Sequence, residues 1–353
     1  MTHAQLRDLE ASRAFEATRR FEELALFHVP FDQLNGDDHT ESTLVRLLAA
    51  DGRIAIIGAS GSGKSSIMAS VLGPFSEELP EDIVPLRIPV AAMTDTAVTE
   101  PGELARHIVL HITRWASPDR FTEPEHEGFE RGLADVARRS RGGRSREFHI
   151  GLPLWLANAE FSRQIQSTGE EHELHGSAGD AVEYLKRLVD LFAARGLRPA
   201  LAFDDTDTWL RIPGLNRTKV ANAFFTRSVG MLARELDLSF VIAVHEEYLA
   251  LAGYRKGRQL LSGEIHVPPL LDSADGIETI LRERLAISEL PFGLDDVVEP
   301  DALRAVAKHY ERAKSMRGAL RVAQRALQHA ISDAVDRLTV PIVEQASSEL
   351  LSS

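Results

Sequence analysis

The apolar residues of this chain fall into five short runs that are separated by longer amphipathic stretches. Short runs rich in β-branched and apolar residues are typical of buried strands, whereas the stretches between them repeat apolar residues at helical spacing. Strands that alternate with helices predict an α/β fold with a doubly wound parallel sheet, whose ligands bind at the carboxyl ends of the strands. The predicted strands are 53–57, 83–90, 199–205, 238–245 and 266–270. Prolines in the second run place it at an edge of the sheet.

Both ends of the chain are predicted to be helical. Residues 4–27 repeat leucine and phenylalanine at near-helical spacing, which predicts one or two amphipathic helices. Their apolar stripe packs either on the core of the same subunit or on a partner or neighbouring subunit. Helical patterns also fill the chain after residue 272. The predicted domains are therefore an arm at 1–30, a core at 31–272 and a helical lid at 273–353.

An insertion at 117–180 interrupts the alternation of strands and helices. It contains a glycine-hinged basic loop, followed by a segment at 148–156 with the alternation of a half-buried strand. The loop is either a solvated surface segment or a contact for an anion or a nucleic acid. Its arginines are Arg138, Arg139, Arg141, Arg144 and Arg146.

The amino-acid composition restricts the cellular environment and the binding partners that are expected for the protein. The chain has 353 residues, no cysteine, and 40 basic against 53 acidic residues, a net charge of −13. An acidic chain has no global electrostatic footprint for nucleic acid, so a contact of that kind needs a local basic patch. Without cysteine there is no disulfide and no thiolate metal site. No stretch approaches the roughly 20 apolar residues of a membrane helix, and a cytoplasmic protein is expected.

The strongest motif follows the first predicted strand. It has the pattern G-x-x-x-x-G-K-S and precedes a predicted helix, which is the context of a phosphate-binding loop. Glycines let the backbone turn tightly, so that its N–H groups reach phosphate oxygens, and the helix directs the positive end of its dipole at the same anion. Lys64 is expected to reach the β- and γ-phosphates, and the hydroxyl of Ser65 is expected to bind Mg²⁺. The predicted binding residues for a nucleoside triphosphate are Gly58, Ala59, Ser60, Gly61, Ser62, Gly63, Lys64, Ser65 and Ser66.

Acidic and polar residues end two later strands. Asp204 and Asp205 close the run 199–205, and His245 closes the run 238–245. A carboxylate at such a strand end can hold Mg²⁺, while the next acid can orient or deprotonate an attacking water. Asp204 is therefore assigned to Mg²⁺ and Asp205 to the water, with Asp207 as additional charge.

Taken together, these motifs resemble the AAA+ class of P-loop ATPases. The resemblance covers about 31–351 apart from the insertion, and it is closest to origin-recognition-type initiators, archaeal ATPases and STAND or KAP signalling ATPases. It implies that His245 contacts the γ-phosphate or the water, as sensor 1, and that Arg317 in Ser315-Met316-Arg317 reaches the nucleotide, as sensor 2. It also implies that Arg255 or Arg258 completes the site of a neighbouring subunit. Two residues depart from the family pattern, Asp205 where glutamate is usual and His245 where asparagine, serine or threonine is commoner.

Two functions follow from this resemblance. The first is an ATPase that binds ATP with Mg²⁺, hydrolyses it slowly, assembles into a homo-oligomer, and controls a protein partner or a DNA transaction. The second is a STAND-like regulatory module that holds the nucleotide with little turnover. A small-molecule kinase is less well supported, because the lid resembles a sensor 2 bundle rather than a substrate-closing flap.

Overall fold

The computed structural model describes residues 3–36, 39–73, 76, 78–115, 178–211 and 216–352. The insertion therefore lies almost entirely outside the described residues, including the basic loop and the predicted strand at 148–156. Within the described ranges, no helix is both long enough and apolar enough to cross a membrane.

Five strands form one parallel sheet in the order β2-β3-β4-β1-β5, which confirms the predicted α/β fold. The strands are β1 (Arg53–Gly58), β2 (Ile83–Pro89), β3 (Arg198–Asp204), β4 (Ser239–His245) and β5 (Gly263–His266). As the prolines predicted, β2 lies at an edge. The last strand lies earlier than predicted, because it runs from Gly263 to His266 and shares only His266 with the predicted run 266–270. Pro268 and Pro269 lack the N–H group that a ladder needs, which explains the early end.

Helices fill most of the remaining described residues. In chain order they are α1 (His3–Ser12), α2 (Phe21–Leu26), α3 (Phe31–Asn35), α4 (Thr40–Ala49), α5 (Lys64–Leu72), α6 (Asp95–Thr99), α7 (Pro101–Trp115), α8 (Ala178–Ala193), α9 (Thr208–Arg211), α10 (Asn216–Ala223), α11 (Ala252–Gly257), α12 (Ser273–Ile287), α13 (Leu294–Val297), α14 (Pro300–Ala313), α15 (Met316–Ser332) and α16 (Val340–Ser352). The chain after α10 is not regular α-helix, because it passes into two π-helical segments, Phe224–Ser228 and Met231–Glu235. Asp272 caps α12, because its carboxylate accepts from the backbone N–H groups of Ala274 and Asp275.

The chain divides into two compact units. The first unit comprises 1–46, 56–79 and 264–353, and its core is helical. Leu6, Leu9 and Phe15 from the N-terminus are buried in that core, together with apolar residues of α12, α14 and α15. Burying each such side chain contributes about 1.5–3 kcal/mol. Of the two alternatives for the apolar stripe of 4–27, the structure favours packing on the same chain.

The second unit comprises 47–55 and 80–263. Its core lies along β2, β3 and β4, against which α7 and α8 pack. A cluster of aromatic rings fills the region beyond the sheet, with the Phe224 ring centroid 5.7 Å from that of Phe203, 5.1 Å from that of Trp209 and 5.4 Å from that of Phe225. The domain boundaries drawn from the sequence stay predictions.

Candidate functional site

The loop between β1 and α5 has the backbone that phosphate binding requires. Gly61 has φ +78° and Gly63 has φ +115°, both in the left-handed region that glycine adopts without a steric cost. Lys64 then begins α5. The sequence pattern therefore placed strand, loop and helix correctly in this part of the chain.

The side chains of this loop are suited to an anionic ligand. The Lys64 ammonium donates to the carbonyl oxygens of Gly58 at 2.9 Å and Ala59 at 2.8 Å, and the residue is only 5% exposed. Ser62 Oγ is buried and makes no hydrogen bond within the described part of the chain. A buried hydroxyl without a partner is costly, and a phosphate oxygen would satisfy it. The buried cation, the unsatisfied hydroxyl and the left-handed glycines together fit a phosphate.

The first turn of α15 packs directly on the phosphate loop. Ser315 caps this helix by accepting from the Gly318 N–H at 3.1 Å. The backbone N–H of Arg317 donates to the Gly61 carbonyl at 3.2 Å. Arg317, the predicted sensor 2 residue, therefore lies beside the loop, while its action on a nucleotide stays a prediction.

This close packing predicts the effect of adding one methyl group at Gly61. A Cβ there would lie 2.4 Å from Ser315 Oγ and 2.8 Å from Arg317 Cβ, whereas a Cβ at Gly196, with φ +70°, would meet nothing within 4 Å. Both alanine variants carry a left-handed strain of roughly 1–2 kcal/mol. Gly61→Ala should lower the free energy of unfolding by roughly 1–3 kcal/mol more than Gly196→Ala, because of overpacking. Denaturant unfolding of the two variants tests this, and equal losses would contradict the packing.

A buried histidine contact joins the N-terminal segment to α5. His28 Nδ1 lies 2.9 Å from Ser66 Oγ, and His28 Nε2 lies 2.8 Å from Glu41 Oε1. The His28 and Glu41 side chains are only 5% and 13% exposed. The Glu41 carboxylate also accepts from the Phe31 N–H at 3.3 and 3.4 Å. Sequence analysis singled out neither His28 nor Glu41, because neither belongs to a motif.

A buried arginine of α12 anchors the segment before His28. Arg284 of α12 donates to the carbonyl oxygen of Glu16 at 2.8 Å, and its guanidinium lies 5.8 Å from the centroid of the Phe27 ring. The guanidinium of Arg19 lies over the same ring, at 3.6 Å. Burial, reinforced by the charge of Arg19, lowers the pKa of Arg284 to about 10.

In the second unit, the strand register brings an arginine to the predicted acids. Pro89 of β2 pairs with Asp204 of β3, so Arg87 pairs with Ala202 and lies on the same face of the sheet as Asp204. Arg87 Nη2 lies 3.5 Å from Asp204 Oδ2 and 3.7 Å from Asp205 Oδ2. Asp204 is 2% exposed, whereas the Asp205 side chain is 40% exposed. Like His28 and Glu41, Arg87 was not predicted from the sequence, because its contacts depend on the register of two strands that are distant in the chain.

The chain turns sharply after Asp204. Asp205 has φ +61°, a conformation that aspartate and asparagine adopt more readily than most residues. Thr206 is fully buried, its hydroxyl donates to the Ala243 carbonyl of β4, and its own carbonyl accepts from the Tyr248 hydroxyl at 2.8 Å. These bonds fix the turn that carries Asp205 and Asp207.

His245 ends β4, as predicted, and one of its ring nitrogens is used locally. Its Nδ1 accepts from the Glu247 N–H at 3.2 Å, which assigns the proton of the neutral ring to Nε2. The ring meets Tyr248 edge to face, at 6.2 Å between centroids. His245 thus satisfies a local hydrogen bond, and a contact of its Nε2 with a γ-phosphate or a water stays a prediction.

The two arginines predicted to act on a neighbour lie on the outer side of α11 and the turn that follows it. Gly253 packs against Asn222 and Gly257 packs against Phe225, where an added Cβ would lie 2.5 Å from Asn222 Cα and 2.6 Å from the Phe225 carbonyl oxygen. This glycine side holds α11 against α10 and the π-helical segment. Arg255 and Arg258 are both exposed to solvent.

The five arginines of the basic loop lie outside the described residues, and a nucleic-acid contact through them stays a prediction.

No family model matches the sequence, and no curated protein matches it significantly. The ORC2 protein of Aeropyrum pernix, in ADPNP–ADP complexes, matches over 92% of this chain and 70% of its own, at 16% identity and a TM-score of 0.50. A chain of Drosophila ORC bound to DNA matches over 96% of this chain and 68% of its own, at 17% identity and a TM-score of 0.51. These likenesses confirm, at the level of the fold, the resemblance to origin-recognition-type AAA+ ATPases.

Proposed function

We propose that this protein is an ATP-binding molecular switch, which hydrolyses ATP slowly and assembles with further copies of itself. The observation that carries the proposal is the phosphate loop, with left-handed Gly61 and Gly63, the buried ammonium of Lys64 and the unsatisfied hydroxyl of Ser62. Lys64 exchanges its two carbonyl partners for phosphate oxygens when ATP binds. The first turn of α5 adds backbone N–H groups and the helix dipole.

The acidic residues supply the remaining chemistry in this proposal. Ser65 and Asp204 would hold Mg²⁺, since hydroxyl and carboxylate oxygens are the ligands it prefers, and the ion would neutralise phosphate charge. Asp205 orients the attacking water and accepts its proton. The positive charge of Arg87 lies 3.5 Å from Asp204 and 3.7 Å from Asp205 and partly offsets the negative charge of the two carboxylates. His245 and Arg317 act as the two sensors of the nucleotide.

Assembly follows from the exposed arginines of α11. Transfer of a phosphoryl group is helped strongly by an arginine beside the developing charge, which is often supplied by another chain. Gly253 and Gly257 lie on the packed side of α11, so Arg255 and Arg258 lie on its outer side, which supports a role in the site of a neighbouring subunit. In the proposed oligomer, one of them enters the site of the next subunit, head to tail.

Mixing two inactive variants tests the assembly. A chain with Arg255→Ala and Arg258→Ala keeps its own phosphate loop, and a Lys64→Ala chain keeps its arginines. Each alone should have almost no ATPase activity, and the equimolar mixture should recover part of the wild-type rate. The measurement is steady-state phosphate release over a range of protein concentrations. A wild-type protein that stays monomeric with ATP, and turns over at a rate per chain independent of concentration, would contradict the proposal.

The second candidate function is a nucleotide-holding regulatory module with little turnover. It is favoured by the ion pair of Asp205 with Arg87, because this contact engages the carboxylate that would otherwise take the proton of the water. Steady-state ATPase activity with and without DNA separates the two functions, since a latch binds ATP tightly but turns it over negligibly under both conditions.

The partner of the switch is proposed to be a protein or a nucleic acid. Drosophila ORC is bound to DNA in its structure, and the basic loop of this chain offers five arginines within nine residues. A contact with phosphates through that loop would weaken steeply as salt increases.

A further inference from the structure

The His28 ring connects the N-terminal segment to α5, the helix that begins at Lys64. Its two nitrogens reach opposite ways, to Ser66 of α5 and to Glu41 of α4. The side chain is 5% exposed, so water does not compete strongly for these bonds. A buried imidazole with both nitrogens engaged is held in one orientation.

In the neutral form of His28, the partners of its two nitrogens determine which nitrogen donates. An ionised Glu41 carboxylate can only accept, so His28 Nε2 carries the proton of the neutral ring. In this tautomer Nδ1 presents its lone pair to Ser66 Oγ, which lies 2.9 Å away and can donate its hydroxyl proton. Glu41 is fixed in turn by the Phe31 N–H. The hydroxyl of Ser66 is therefore oriented by His28, which is oriented in turn by Glu41, a residue outside the phosphate loop.

The position of Ser66 makes this chain relevant to the ligand. Ser66 belongs to the first turn of α5, directly after Lys64 and Ser65. In the proposed function this turn faces the phosphates. A displacement of Ser66 would move the N–H groups and side chains that act on the nucleotide, and a small misplacement costs much in such sites.

We propose that His28 is a positioning residue for the phosphate site, which acts through the hydroxyl of Ser66 and is oriented by Glu41. This inference rests on the proposed function, because it assigns His28 to the same nucleotide site. It also makes the N-terminal segment sensitive to the ligand, since Phe27, next to His28, is held by Arg19 and Arg284. Coupling of this kind is reciprocal, so nucleotide binding should also order the segment.

A double-mutant cycle tests the route through Ser66. The dissociation constants of Mg·ATP and of ADP are measured by isothermal titration calorimetry for wild type, His28→Ala, Ser66→Ala and the double variant. Each single variant should bind about 3- to 10-fold more weakly, the range expected for one lost hydrogen bond. The double variant should bind no more weakly than Ser66→Ala alone, because both changes remove the same contact. Losses that multiply in the double variant would overturn the inference.

Two conservative variants of His28 distinguish a positioning role from a merely structural one, because only a positioning role predicts that they differ in nucleotide affinity. The amide of His28→Asn can occupy the place of Nδ1 and contact Ser66, whereas the amide of His28→Gln can occupy the place of Nε2 and contact Glu41. His28→Asn should restore most of the affinity that His28→Ala loses, and only while Ser66 is present. His28→Gln should restore less. If His28→Asn and His28→Gln restore the nucleotide affinity equally, His28 has a role in packing only. If His28→Ala does not fold, the comparison of these two variants is the test.

A matched histidine–serine pair in the same unit is the control. His309 Nδ1 lies 2.8 Å from Ser347 Oγ, between α14 and α16. Ser347→Ala should keep wild-type nucleotide affinity, although it removes a similar bond. If the wild-type protein binds neither ATP nor ADP, the proposed function fails. If the wild-type protein binds them and the His28 variants bind equally well, only the role of His28 is wrong.

Discussion

Replacement of Lys64 by alanine is expected to weaken ATP binding by roughly 10- to 100-fold while the chain stays folded. The ammonium makes charge-assisted hydrogen bonds, each worth about 1.5–3 kcal/mol, and 1.4 kcal/mol corresponds to a factor of ten. In the structure it donates to the carbonyl oxygens of Gly58 and Ala59, which marks the place where a phosphate would be bound. Calorimetric titration with Mg·ATP measures the loss.

The control for this change is Lys308→Ala, which removes an exposed lysine of α14 in the same unit. It lowers the net charge by the same amount, so any loss that arises only from overall electrostatics would occur in both variants. Thermal unfolding without nucleotide checks that Lys64→Ala is folded. An unchanged affinity in a folded Lys64→Ala protein would remove the basis of the nucleotide site.

Asp205→Asn should abolish turnover and leave ATP binding within a few-fold of wild type. Asparagine has the same shape and tolerates the left-handed backbone at φ +61°, so the turn after β3 is preserved. What is lost is the carboxylate that takes the proton of the water, and loss of such a group costs about 10²- to 10⁴-fold in rate. Single-turnover and steady-state phosphate release, beside an affinity measurement, separate the two effects.

Asp207→Asn is the matched control, because Asp207 lies on the same turn and has no assigned proton transfer. It should keep most of the activity. Wild-type turnover in Asp205→Asn would reject the assignment of Asp205. Full activity in Asp204→Asn would reject the assignment of Asp204 to Mg²⁺, since that variant removes a charged oxygen ligand.

The sequence predicted the parts of this fold that depend on local pattern. Apolar runs gave the strands, proline placed β2 at the edge, and the glycine and lysine spacing placed the turn between β1 and α5. Each of these depends on residues that are near each other in the chain. All of β5 was predicted too late in the chain. The predicted run 266–270 contains Pro268 and Pro269, which cannot donate to a ladder, whereas the observed strand is Gly263–His266.

The contacts that organise the candidate site depend on packing, and no local pattern revealed them. His28 lies 38 residues before Ser66, and their contact exists because α2 packs beside α5. Arg87 reaches Asp204 and Asp205 because of the register of β2 and β3, which pairs residues more than 100 positions apart. The sequence alone does not show whether an arginine in a strand contacts a carboxylate or faces solvent, because that depends on which strand lies beside it.

Titration of the wild-type protein with ATP in the presence of Mg²⁺ tests the central claim most directly. The proposed function predicts saturable binding of about one nucleotide per chain, which Lys64→Ala weakens and Lys308→Ala does not. Binding should also raise the unfolding temperature, because a ligand that binds only the folded state stabilises it. A folded wild-type protein that binds neither ATP nor ADP at millimolar concentration would contradict the account.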